Sequence, residues 1–84
     1  MTVGHARTFI KQALSDRELR DQLNAAPTQD AIAAILETRN IRFTHVEFEE
    51  AHHGLLVQCQ TEEEAAQVRE IRSWWEFLIA ATAR

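Results

Sequence analysis

The chain is poor in the residues that interrupt helices: its 84 positions hold one proline and two glycines. Loop-rich and hairpin-rich folds need many more of both, so an all-helical chain is expected. It has a single cysteine, Cys59, so no internal disulfide can form. It has no apolar run near the roughly 20 residues that span a bilayer; the longest, "FLIAATA" after Glu76, is far shorter. The opening "MTVGHARTF" has no apolar signal core. A cytoplasmic protein with no membrane partner is the expectation. Basic charge is scarce as well. Thirteen acids against nine bases leave a net charge of −4, and no basic stripe with interleaved aromatics runs through the chain, which argues against nucleic acid as a partner.

What is present fits an ordinary globular domain, with 45% hydrophobic and 26% charged residues. Its length suits one domain over 1–84, too small for a large catalytic cleft. Three Ser/Thr-x-x-Glu boxes predict helix starts: Ser15 with Glu18, Thr44 with Glu47, and Thr61 with Glu64. In each, the hydroxyl accepts from an unpaired first-turn N–H while the glutamate reaches back to the cap. Leu14 with Leu19, and Phe43 with Phe48, supply hydrophobic staples for the first two. A further start follows Pro27, capped by Thr28 with Asp30 in the first turn.

Apolar residues recur at helical spacing between these starts: Ala6, Phe9, Ile10, Ala13 and Leu14; then Leu19 and Leu23; then Ile32, Ile35 and Leu36. Asn40 suits a left-handed stop after the third stripe. Ile41 to Cys59 also reads as a hairpin turning at "HHG". The Thr44 box and the three-and-four spacing of Phe48, Ala51, Leu55, Leu56 and Cys59 favour a helix, although Gly54 inside it costs about 1 kcal/mol relative to alanine. A long last helix, about 61–83, carries Ala65, Val68, Ile71, Trp75, Leu78 and Ile79. The expected fold is all-α with five helices, three short ones and then a longer antiparallel pair joined near Gln60 and Thr61.

Residues Phe9 to about Ala51 resemble the Nif-eleven domain, which occurs in small proteins of nitrogen-fixation gene clusters and in leader peptides of ribosomally made, modified peptides. The resemblance rests on "FIKQALSDRELRDQL", with Phe9, Asp16, Leu19 and Leu23, on the "AIAAI" helix, and on "IRFTHVEF" with Phe43, Thr44 and Glu47. The family-like region spans about 4–53. Leader-type members end this domain in a double glycine ahead of a short core peptide rich in Cys, Ser and Thr. Here a single Gly54 is followed by bulky leucines and another capped helix. The resemblance therefore implies a stand-alone accessory protein of nitrogen fixation, bound by a partner protein. A leader-type precursor recognised by a modifying enzyme is the alternative, and metal handling a further one.

His45, Glu49, His52 and His53 are the candidate metal ligands, since three- and four-residue spacings place neighbouring pairs together. His45 and His52 lie seven apart, about 10 Å along a helix, too far to share one ion unaided. These histidines are read instead as a polar flank, so no metal and no cofactor is expected. Cys59 reads as a small buried hydrophobe without a neighbouring base. The acids Glu62, Glu63 and Glu64 suit the positive end of a helix. Arg39 and Arg42 could face an anionic partner but suit a solvated surface. No catalytic triad, phosphate loop or acid pair is visible, so enzyme activity is not expected. Trp75 is read as a core anchor. Trp74 and Phe77, three apart, form a second apolar strip, and Trp74, Trp75, Phe77 and Leu78 are the expected interface of a homodimer.

Overall fold

The computed structural model describes residues 2–83, among which five helices and no strands form. The first, α1 (Val3–Ser15), starts where the Thr2 hydroxyl accepts from the His5 N–H at 3.0 Å. It buries Ala6, Phe9, Ile10 and Ala13, one face of successive turns. Next, α2 (Arg17–Ala25) buries Leu19 and Leu23. The cap between these two helices differs from the expected one. Asp16, not Ser15, caps α2, its Oδ1 accepting from the Leu19 N–H at 3.2 Å. Ser15 is the last residue of α1, and its hydroxyl donates to the Lys11 carbonyl. The Ser15–Glu18 box therefore does not form, and Leu14 is partly exposed rather than stapled. Two adjacent residues can each cap, and the carboxylate at position 16 takes the role.

Ala26 is extended, as the residue before a proline is biased to be. Thr28 then caps α3 (Gln29–Thr38), accepting from the Ala31 N–H at 3.1 Å. Asn40 has φ 60°, the left-handed stop expected of it. Around it the Ile41 N–H reaches the Leu36 carbonyl (3.0 Å) and the Asn40 N–H the Glu37 carbonyl (2.9 Å), a Schellman closure that buries Leu36 and Ile41 together.

The hairpin alternative does not form: α4 (His45–Gln58) is a continuous helix through Gly54. Both bonds of its capping box are made, Glu47 N–H to Thr44 Oγ1 (3.2 Å) and Thr44 N–H to Glu47 Oε1 (2.7 Å). Phe43 stacks on Phe48 with ring centroids 5.8 Å apart, closing the staple. Finally, α5 (Glu62–Thr82) begins where Thr61 accepts from the Glu64 N–H. Its 21 residues extend about 31 Å at 1.5 Å each, nearly the 35 Å long axis of the molecule.

The hub is α1, which packs chiefly on α4 and also on α2 and α5, while α4 and α5 run antiparallel. At the centre Trp75 of α5 meets Phe9 of α1 edge-on at 4.9 Å, with Phe43 at 5.4 Å and Phe48 at 5.8 Å. The last helix thus supplies a central side chain of the core, together with Ile71 and Leu78.

Candidate functional site

Two surfaces hold most of the side chains singled out in the sequence, and the structure adds a third. The first is the seam between α4 and α5. Arg72 places Nη2 3.2 Å from Glu49 Oε2 and Nε 2.9 Å from Glu76 Oε1, and His45 Nε2 lies 3.8 Å from Glu49 Oε1. Glu49 is therefore engaged by a guanidinium. Among the described residues no group of three or more His, Cys, Asp and Glu side chains is placed to hold a metal ion.

His52 departs from the sequence reading, which put it on a polar flank. It is buried at 6% exposure and stacked on Phe48, with ring centroids 6.4 Å apart. Its Nε2 is enclosed and without a hydrogen-bond partner among the described residues. Burial lowers its pKa below the usual 6.5, and the nearby positive charge of Arg72 lowers it further, against the opposing pull of Glu49 and Glu76. The ring is held neutral. The signal was available: residue 52 is four beyond Phe48, on the face that also holds Ala51 and Leu55. His53 is exposed, so the histidines at 45, 52 and 53 do not converge.

The second surface is the outer side of α5. Trp75 and Leu78 are core residues, 5% and 6% exposed, and unavailable to a partner. Trp74 is also not part of an exposed strip. It packs against the core parallel to Phe9 (6.3 Å between centroids), donates from Nε1 to Asn24 Oδ1 at 2.8 Å, and lies under the Arg20 guanidinium at 5.6 Å. Helix α2 covers it, a partner the sequence pattern could not supply. Phe77 alone of the four stands in solvent, at 74% exposure.

The third surface was not anticipated: an open apolar groove of about 740 Å³ between α2 and α3. Ala25, Ala26 and Pro27 form one end, Ala31, Ala34 and Ile35 one wall, and Gln22 the other. The far end is closed by Arg39, whose Nη1 sits 3.0 Å from Asp16 Oδ2. The Leu19 N–H and then that bond to Arg39 hold the Asp16 carboxyl below its usual pKa. Arg42 in turn faces Glu37 at 3.8 Å, so neither arginine is a free anion site. The alanine-rich stretch from 25 to 34 was the available signal.

Cys59 caps the end of α4, half-buried, with its thiol donating to the Leu55 carbonyl at 3.2 Å. Among the described residues none of these surfaces joins the Cys59 thiol to a base. No helix among the described residues is long and apolar enough to cross a membrane. The family model described as "Nif11 domain" matches residues 1–48, more than half of the chain, from α1 to the first turn of α4. No curated protein and no solved structure matches.

Proposed function

The chain belongs to the Nif11 domain family, and from that premise we propose that it is a non-enzymatic helical interaction module, a stand-alone accessory protein of nitrogen fixation. One observation carries the choice of the stand-alone form over the leader-type precursor. The segment beyond the family match is locked into the domain: Trp75, Ile71 and Leu78 of α5 pack into the same cluster as Phe9, Phe43 and Phe48. A precursor must release the peptide that lies beyond its leader. Cutting at Gly54 here would sever α4 within its length and strip the core of its central tryptophan.

Interaction rather than catalysis is supported by how the polar groups are spent. The seam charges engage one another, His52 is neutral and enclosed, and Cys59 is tied to a carbonyl. Apolar surface, by contrast, is offered outward at Phe77 and along the α2–α3 groove. Self-association through Phe77 is part of the proposal, narrowed from the wider strip because Trp74 is covered. The test is deletion of the gene in its native host, with growth compared on dinitrogen and on ammonium. A defect confined to dinitrogen, restored by the wild-type gene, is expected. Equal growth on both would overturn the nitrogen-fixation role.

A further inference from the structure

We propose that the α2–α3 groove is a docking site for a cationic amphipathic helix of a partner protein. The inference rests on the interaction reading above and names the chemistry of the partner.

The groove's length sets the size of its occupant. It runs from the turn at Pro27 to the Asp16–Arg39 ion pair, alongside the nine positions from Ala31 to Arg39 on α3 and its C-cap. At 1.5 Å per residue that is about 13 Å, room for roughly two turns of a helix. Its walls explain what enters. Ala26, Ala31 and Ala34 are too small to fill the space between two helix backbones, so the floor beside Ile35 is open to large side chains. An amphipathic helix presenting bulky apolar residues at three- and four-residue spacing fits such a trough.

The rim sets the charge. Glu18 and Asp30 stand one helical turn from Gln22 and Ala34, on the same faces as those lining residues. Among the described residues neither makes an ion pair, whereas Glu37, beside Thr38 of the lining, is paired with Arg42 at 3.8 Å. The one cation lining the groove, Arg39, is neutralised by Asp16. An apolar floor with unneutralised carboxylates along its edges selects a helix with an apolar face and lysines or arginines flanking it, and repels an acidic one.

The test uses the intact chain, isotope-labelled, titrated with a short leucine–lysine amphipathic helix and with its leucine–glutamate counterpart. Amide shifts at Gln22, Ala31, Ala34 and Thr38 should respond to the first peptide and not to the second. Ala34→Trp, a substitution at an exposed position that fills the trough, should weaken the first peptide at least about tenfold while leaving the melting temperature unchanged. Glu18→Gln with Asp30→Asn should weaken it several-fold and flatten its salt dependence. Shifts centred on Glu62 to Glu64 or on Phe77, equal response to both peptides, no response to either, or response only to a free apolar dye would each overturn the proposal. Growth of the deleted strain and the peptide titration read different things, so either reading can fail alone.

Discussion

Replacing Trp75 by alanine puts the integration of α5 to the test. The indole is 5% exposed and lies within 6 Å of three phenylalanine rings: Phe9 at 4.9 Å, Phe43 at 5.4 Å and Phe48 at 5.8 Å. Those rings come from α1, from the loop before α4 and from α4 itself. Trp-to-Ala changes in cores cost about 3–5 kcal/mol through lost transfer energy and the cavity left behind. Three aromatic contacts removed together place this one at the upper end. At roughly 0.05–0.15 kcal/mol per residue, a chain of 84 residues has about 4–13 kcal/mol of stability in all. The substitution therefore removes a large share of it. Urea unfolding followed by far-ultraviolet circular dichroism reads the loss, with Phe77→Ala as the control. Compared at a concentration where both proteins are monomeric, loss of that exposed ring should change stability by no more than about 0.5 kcal/mol. A Trp75→Ala protein within about 1 kcal/mol of wild type would refute the integration of α5 into the core.

Thr44→Ala should cost about 1 kcal/mol, because the hydroxyl that accepts from the Glu47 N–H is lost while the residue 44 N–H can still reach the Glu47 carboxylate, and thermal melts will show it. Asp16→Ala should cost more than Ser15→Ala, since the cap of α2 is the carboxylate; the reverse order would restore the serine box. Because the folded-state pKa of His52 is lowered, its contribution to stability is complete above pH 6.5. It is lost as the pH falls below that value, where the unfolded chain takes up the proton first. His52→Leu should remove that part of the pH dependence, and above pH 6.5 it should be about neutral or stabilising, as it eliminates an unpartnered buried nitrogen. Light scattering over a concentration series should show a dimer that Phe77→Ala converts to monomer; a wild-type monomer at every concentration excludes self-association through that ring.

Much of this fold was legible because local signals agreed. The Thr44 box and the Phe43–Phe48 staple decided a segment that periodicity alone left open between helix and hairpin. Asn40 announced its left-handed turn by residue type. The misreading of Trp74 turns on which long-range neighbour covers a side chain, whereas that of His52 was local. Trp74 looked free because nothing in its own helix shows that Asn24 and Arg20, some fifty residues earlier, close over it. His52 looked solvated because polarity outweighed its place four residues after Phe48. Ser15 and Asp16 are both good caps, and Asp16, which takes the role, also meets Arg39 across the domain. The α2–α3 groove is a relation between two helices, so the alanine-rich stretch from 25 to 34 marks part of its lining without showing what stands opposite.

The separation of a permanent helical module from a processed precursor comes down to whether α5 stays with α1 in the cell. Quantitative peptide mapping of the protein isolated from its native host measures this directly, by comparing the molar amounts of peptides from α1 and from α5. Equal amounts are predicted, because Trp75 is a core residue of the domain that begins with α1. A population carrying α1 peptides but ending near Gly54, with α5 peptides depleted, would contradict the stand-alone reading.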